Sequence, residues 1–405
     1  MVFSTIGMEL ELNLIQPEGY MENKADAILT DQRNIITDTV VYEATMCMVE
    51  VNSDPADHVH ELERNIVRKL LLLEDICNSH GVQPISTSEL GAGRGEPRFF
   101  SRTPGYINSI GQEKYEELIT IAGVHLHLSQ IPDKKLDQFK VLQALDPISY
   151  LVTSTSPMNY QGNNTLNCHR LNTARNKVFR EFPLHAELLE YPGSMEEIED
   201  LNDRRWKQWR EHSEKAGWKE YDLRFRPDNT GYAPIRKRDN IRPGVSTFEV
   251  RSFDSSPLDV AMAAIAIYKG VNDYLANNKV EVDIATEDFR YHFGPNKFLL
   301  PNLRTLKWMQ DETIRQGLRS DYMVQYLKDV VEVARHGLPK EDLIYLNKLE
   351  EMLQTKQNTA AELMGYLRNL GYEGHQFNPD QSAQANLYMR DKHVQALHNP
   401  KYLLN

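Results

Sequence analysis

Two carboxylates one residue apart are the first chemistry in the chain. In Gly7-Met8-Glu9-Leu10-Glu11-Leu12-Asn13-Leu14, apolar and polar residues alternate. Alternate residues of a β-strand share a face. Met8, Leu10, Leu12 and Leu14 would line a core, with Glu9, Glu11 and Asn13 opposite. Carboxylates side by side repel unless water or a cation lies over them. Alone, the segment fits an acidic edge strand as well as a cation site. In Gly123-Val124-His125-Leu126-His127-Leu128-Ser129, the same alternation sets His125, His127 and Ser129 against Val124, Leu126 and Leu128. Paired histidines on a strand suit a metal or a phosphate, and also a plain hydrogen-bonded surface. In Thr247-Phe248-Glu249-Val250-Arg251-Ser252-Phe253-Asp254, Phe248 and Val250 share one face. Glu249 and Arg251 share the other, with Thr247 and Phe253. The ordinary alternative is a surface ion-pair ladder, which is worth little. Residues 42–52 hold Glu50, in phase with Met46, Met48 and Asn52. Glu43 has the opposite parity and would meet Glu50 only across a bulge or turn. It is expected to be an exposed or loop acid.

Together these segments say more than each alone. Separate strands oppose an apolar face to Glu/Glu, His/His and Glu/Arg pairs. Carboxylate oxygens with one imidazole suit Mg²⁺ or Mn²⁺ better than zinc. Residues i and i+2 of a strand lie roughly 6.5–7 Å apart, whereas Mg–O bonds are about 2.0–2.1 Å. Glu9 and Glu11 therefore fit two neighbouring ions better than one. Such a pair of ions is the usual clamp for phosphoryl transfer. The phosphate-cradling GxxxxGK[ST] loop is absent, and Gly91-Ala92-Gly93-Arg94-Gly95 lacks its Lys and Ser/Thr. A nucleotide would be held by metals, histidine and arginine. The 91–95 loop would either close over the site or be a flexible turn.

The elements that must position these groups alternate along the first half. Residues 4–15, 122–129 and 246–253 predict strands, and 58–79 a helix ended by Gly81. Residues 134–151 predict a helix, or a pair broken near Pro147. Residues 195–219 are highly charged and predict a surface helix, an insertion in character. A helix follows from about 257 to 277. Residues 304–336, 340–370 and 381–397 predict helices joined by short loops. The sum is an α+β fold, a sheet with helices on one side and a helical C-terminal segment on top. The expected division is 1–300 and 301–405.

At 405 residues the chain can bury a large core. Its formal charge of −12 argues against nucleic-acid or anionic-membrane partners, which need a basic surface. No apolar run is long enough to span a bilayer, and the N-terminus lacks a secretory pattern. Three widely spaced cysteines, Cys47, Cys77 and Cys168, form no disulfide framework. A reduced, cytoplasmic compartment is expected. Partners should be small molecules, with a homo-oligomeric state left open.

The ordered set of motifs resembles the glutamate–cysteine ligase type 2 family, carboxylate–amine ligases of the glutamine synthetase superfamily. It comprises Gly7-Met8-Glu9-Leu10-Glu11, Met48-Val49-Glu50-Val51, Gly123-Val124-His125-Leu126-His127, Ser154-Thr155-Ser156-Pro157 with Gly162 and Arg170, and the segment from Thr247 to Asp254. The resemblance covers about residues 3–275. It implies a glutamine synthetase-like domain with a curved, mainly antiparallel sheet flanked by helices. It implies ATP, Mg²⁺ (or Mn²⁺), and amide formation, γ-glutamyl in kind, through an acyl phosphate. Carried over by position, Glu9, Glu11, Glu50, His125 and Glu249 are the implied metal ligands. His127 and Arg251 are implied to contact the nucleotide, and Arg251 and Glu50 are the catalytic candidates. Arg170, Arg242 and Arg94 are the substrate-binding candidates, with Arg224 and Arg226 rivals to Arg242 because the Ile241-Arg242-Pro243 spacing departs from the family's. A guanidino-kinase-like phosphotransferase and a non-catalytic nucleotide- or metal-binding module remain as alternatives.

Overall fold

A seven-stranded antiparallel sheet carries the site. The computed structural model describes residues 3–89, 91–93, 95–98, 107, 109–215, 233–242 and 245–401. At the centre of the sheet lies β1 (Ile6–Ile15). It pairs on one side with β3 (Met48–Asn52), itself flanked by β2 (Val40–Tyr42). On the other side come β5 (Gly123–Ser129), β7 (Val245–Asp254) and β6 (Ile235–Arg242). Strand β4 (Gln83–Ile85) pairs with the far end of β1. A small second sheet joins β8 (Glu281–Ile284), β9 (His292–Phe293) and β10 (Lys297–Leu300).

The alternation of β1 has the expected consequence. Ile6, Met8, Leu10, Leu12 and Leu14 are buried, each contributing roughly 1.5–3 kcal/mol of hydrophobic stabilisation. Behind them pack α1 (Val59–Ser79), α2 (Lys135–Thr153) and α4 (Leu258–Asn277). The charged helix α3 (Met195–Lys215) follows α2 in the chain. The C-terminal helices are α5 (Leu303–Gln316), α6 (Asp321–Gly337), α7 (Asn347–Thr355), α8 (Thr359–Asn369) and α9 (Pro379–His398). One apolar cluster runs from Ile6 in β1 to Leu397 in α9, so the helical segment shares the core of the sheet. Helices α4 and α6 touch backbone to backbone. A Cβ on Gly337 would lie 1.8 Å from the Gly270 carbonyl oxygen, so only glycine fits there.

Of the two readings of residues 134–151, the single helix holds, since α2 is continuous through Pro147, while other expectations need correcting. Proline disturbs the turn before it, and there Tyr326 and Tyr268 donate to the carbonyls of Ala144 and Leu145. The predicted helix over 304–336 is two helices, parted at Gly317, whose φ of 55° suits glycine. Residues 340–370 hold α7, α8 and a tight helical turn, Lys340–Leu346. In that turn Asp342 accepts hydrogen bonds from the Val59 and His60 N–H groups, capping α1 from outside its own sequence. Of the glycine-rich loop 91–95, residue 94 lies outside the described set. Its described parts are packed, with Gly91 against Ser382 and Gly95 against Cys47, which does not fit a freely swinging lid. All three cysteines are free and buried. Among the described residues no helix is long and apolar enough to cross a membrane.

Buried neutral histidines give the fold an acid limit. Burial pushes His185 down to about 3 and His393 down to about 4. The unfolded chain takes up these protons near pH 6.5, so their contribution is complete above that value and lost as pH falls toward 4. Urea unfolding should show stability dropping by ~1.4 kcal/mol per histidine for each pH unit in that window. A flat profile there would contradict neutral burial.

Candidate active site

The sheet's polar face gathers the acidic and imidazole groups. Register sets Glu9 opposite His125, Glu11 opposite Glu50, and His127 opposite Glu249. Glu9 lies between both histidines, with Oε2 2.8 Å from His125 Nδ1 and Oε1 3.1 Å from His127 Nε2. His125 Nε2 is 3.7 Å from Glu11. Glu11 Oε2 accepts the Gly123 N–H at 2.5 Å, and Glu50 accepts from Asn52 at 3.0 Å. His127 Nδ1 lies 3.1 Å from Thr247 Oγ1. Beside them, Arg251 Nη1 bonds Glu249.

Two groups of three side chains could each hold a cation. One is Glu9, His125 and Glu249, the other Glu11, Glu50 and His125. Glu9 and Glu11 fall into different groups, as the strand spacing requires. The donor set of carboxylate oxygens and one shared imidazole fits hard divalent ions. Glu249 is almost wholly buried; its Oε2 makes no hydrogen bond with any described residue and meets the Arg238 guanidinium only at 3.5 Å. A buried oxygen so loosely held has room for a closer partner.

The electrostatics agree. Burial pushes the Glu11 carboxyl up to about 8, assisted by the charge of Glu43. Burial, then the charges of Glu43, Glu9 and Glu11, push Glu50 up to about 10. These acids cannot all ionise side by side without added positive charge. Burial acts to raise Glu9, but hydrogen bonds from His125 and His127 prevail and hold it well below the usual range. Burial also raises Glu249, but the charges of Arg251 and Arg236 prevail. Burial and the Arg251 charge push His125 down to about 4, keeping it neutral.

A bulge alters the expected face of β7. Val124 pairs with Phe253, yet Leu126 pairs with Val250, so β7 carries one extra residue between them. Parity reverses there. Phe253 joins Phe248 and Val250 in the core instead of sharing the face of Glu249. Asp254 is buried and accepts from the Thr155 N–H and Ser156 Oγ, tying the Ser-Pro motif to β7.

Arg170, a substrate-binding candidate, is fully buried, and its Nη2 donates to the Arg251 carbonyl at 3.2 Å, so it braces Arg251 from behind. The close approach explains Gly123, since a Cβ there would lie 2.2 Å from Arg170 Nη2. Gly123→Ala is expected to cost about 1–3 kcal/mol through overpacking, read as a lower urea midpoint. An unchanged midpoint would mean that Arg170 moves aside freely.

Sequence reasoning also missed groups. Residues 40–52 hold the antiparallel strands β2 and β3, with Val41 opposite Glu50. Glu43 lies in the loop between them, half-buried, and its charge acts on both Glu11 and Glu50. It is a loop acid, as one of the expected readings had it, but one that acts on the acidic centre. Arg236 and Arg238 on β6 approach Glu249 at 3.9 and 3.5 Å. The basic run Arg236-Lys237-Arg238 was the available signal. Arg242 pairs by its backbone with Val245, but its side chain, like Arg94, Arg224 and Arg226, lies outside the described residues. Below the bulge, Arg175 holds Asp146 through two hydrogen bonds and also donates to Ser252.

A cavity of about 800 Å³ opens from Glu9 and His127, with Ser53, Lys135, Arg238 and Thr247 on its walls.

Comparisons with known proteins show the family and the fold. The sequence model of glutamate–cysteine ligase family 2 (GCS2) matches residues 5–292. A Bordetella petrii protein named "Putative glutamate--cysteine ligase 2" is 30% identical over 195 residues, covering 46% of this chain and 44% of the relative. A Gloeobacter violaceus protein of the same name is 24% identical over 180 residues, covering 43% of this chain and 47% of the relative. The chain thus spans about half the length of the curated relatives it matches. Among solved structures, the Francisella tularensis glutamate–cysteine ligase in complex with AMP superposes with a TM-score of 0.60 at 13% identity, covering 99% of this chain and 94% of that one. A bifunctional glutathione synthetase from Pasteurella multocida superposes at 0.57 and 13% identity, covering 97% of this chain and 53% of that one. The fold is shared with these ligases, and on the match over residues 5–292 the chain belongs to glutamate–cysteine ligase family 2.

Proposed function

We propose that the chain is an ATP-dependent carboxylate–amine ligase that forms an amide, γ-glutamyl in kind, through an acyl phosphate. The carrying observation is convergence. Glu9, Glu11, Glu50, His125 and Glu249 come from four strands to one face, in two overlapping three-residue groups beside Arg251. Glu9, Glu11, Glu50, His125 and Glu249 would hold divalent cations, Mg²⁺ or Mn²⁺, which when bound supply positive charge against the phosphate oxygens of ATP.

The rest falls to the chain's own side chains. A carboxylate is a poor electrophile, so its oxygen attacks the γ-phosphorus and ADP departs. Arg251 would stabilise the charge spread over the phosphoryl group in flight. Arg170, through the Arg251 carbonyl, is a positioning residue in this scheme. The amine then attacks the acyl carbon, loses a proton, and phosphate leaves. His127, Lys135 and Arg238 offer nitrogen donors along the 800 Å³ cavity, whose size suits a nucleotide.

Incubation with ATP, Mg²⁺, glutamate and hydroxylamine tests the proposal. Glutamyl hydroxamate should form together with ADP and phosphate. Hydroxamate from other acids but not from glutamate would overturn the assigned acid. ADP release with a guanidine alone would replace the ligase by a phosphotransferase. Nucleotide binding without any turnover would leave a binding module.

A further inference from the structure

We propose that Asn386, in the C-terminal helix α9, is a positioning residue that fixes the glycine-rich segment at the end of the site where the acid substrate enters. The inference rests on the ligase reading, and its experiment separates the two.

The polar face of β1 has two ends. Gly7 and Glu9 border the cavity of about 800 Å³ at one end. Beyond Glu11, at the other end, Asn13 lines a small void with Cys47, Gly93, Gly95 and Tyr160. In an in-line transfer the attacking oxygen and the departing ADP lie on opposite sides of the phosphorus. With ATP in the cavity, the acid therefore meets the centre from the Asn13 side.

The described residues of 91–98 border that side. They form a ribbon hydrogen-bonded to its neighbours. Met21 N–H donates to the Ala92 carbonyl, Met46 N–H to the Glu96 carbonyl, and Arg98 N–H to the Ala44 carbonyl. Residues 44–46 lie between Glu43 and the strand β3 that carries Glu50. The ribbon thus holds the rim beside the acidic centre.

What fixes the ribbon comes from far along the chain. Asn386 is fully buried, and its Nδ2 donates to the carbonyls of Gly19 and Gly91, at 2.7 and 3.2 Å. Gly19 belongs to the turn after β1, and both glycines are buried. One amide therefore ties that turn and the start of the ribbon to α9. The helix also touches both segments. A Cβ on Gly19 would lie 2.4 Å from the Ala383 carbonyl oxygen, and one on Gly91 2.4 Å from Ser382 Oγ. Buried carbonyls need donors. Leucine at 386 would leave two of them without this one, and the ribbon free to shift.

Hydroxamate formation by full-length Asn386→Leu, with glutamate and ATP varied in turn, tests the assignment. KM for glutamate should rise about tenfold or more, while KM for ATP stays within about twofold. Gly91→Ala, which drives a methyl group into Ser382, should give the same split, and adding Ser382→Gly should restore it. Hydrogen exchange supplies a readout without turnover. In Asn386→Leu the Met21 and Met46 amides should exchange about tenfold faster. The Ser129 amide, bonded to the Thr5 carbonyl at the nucleotide end, should not change. Unchanged exchange at Met21 and Met46 would overturn the tether. Equal rises in both KM values, or a fall in kcat alone, would overturn the assignment to the acid's end. A wild-type chain that makes no hydroxamate would remove the ligase reading, and exchange would still decide whether Asn386 holds the ribbon.

Discussion

Arg251→Ala should lower ATP-dependent hydroxamate formation by about a thousandfold or more. Its Nη1 bonds Glu249, and its charge acts on Glu11, His125 and Glu249 together. Glu249 would keep Arg236 and Arg238 as neighbours, so the fold should survive. That separates chemistry from stability, and thermal unfolding of the variant checks it. Arg251→Lys should recover little, because a point ammonium cannot reproduce the planar guanidinium fork. For Glu249, glutamine is the better probe than alanine. Alanine would leave three arginines facing one another, whereas Glu249→Gln removes charge and keeps shape. It should show a comparable loss of turnover. Near-normal rates for Arg251→Ala would remove this residue from the reacting centre.

Asp146→Ala should be the most destabilising of the single changes, by about 3–5 kcal/mol. It would leave the Arg175 guanidinium unpaired, where Asp146 now meets it at 2.8 and 3.0 Å, both groups fully enclosed. The double change Asp146→Leu with Arg175→Met should regain most of that stability, since paired removal takes away the uncompensated charge. Turnover of the double variant should nonetheless stay low. Arg175 and Asp146 both bond Ser252, the residue next to Arg251 in the bulge, so their loss unfastens β7 at the site. Urea unfolding gives the first quantity and the hydroxamate assay the second. Full activity in a stable double variant would show that the bulge holds its shape without this tether.

Much of the site was legible because strands impose a period of two. Glu9 and Glu11, His125 and His127, and Glu249 each sit between apolar neighbours, so their faces follow from the pleat once the strand is recognised. The apolar residues of β1 and β5 went to the core as read. The misses share a cause. Glu43 acts on Glu50 because the chain reverses between β2 and β3, which reading residues 42–52 as one strand does not show. Phe253 changed face because of a single inserted residue. Neither a bulge nor a tight reversal has a hydrophobic signature of its own. Arg236 and Arg238 went unread because nothing in their own segment shows that Glu249 lies opposite. Pro147 by itself leaves open a helix or a broken pair; the helix is continuous, and two tyrosines distant in the chain, Tyr268 and Tyr326, donate to carbonyls of the turn before it.

By itself, the sequence determined which residues face inward along β1 and β5, and so which polar groups are available on the other side of those strands. It also determined that those groups are carboxylates, imidazoles and an arginine, with no phosphate loop to replace them. Only the tertiary structure decided which of them meet. Strand order and register bring Glu9 to His125 and Glu11 to Glu50 across sequence separations that local patterning does not encode. The same folding enclosed Arg170 and Arg175 as braces, because whether an arginine reaches a ligand or its own backbone depends on what packs around it, and that is settled by contacts among distant segments.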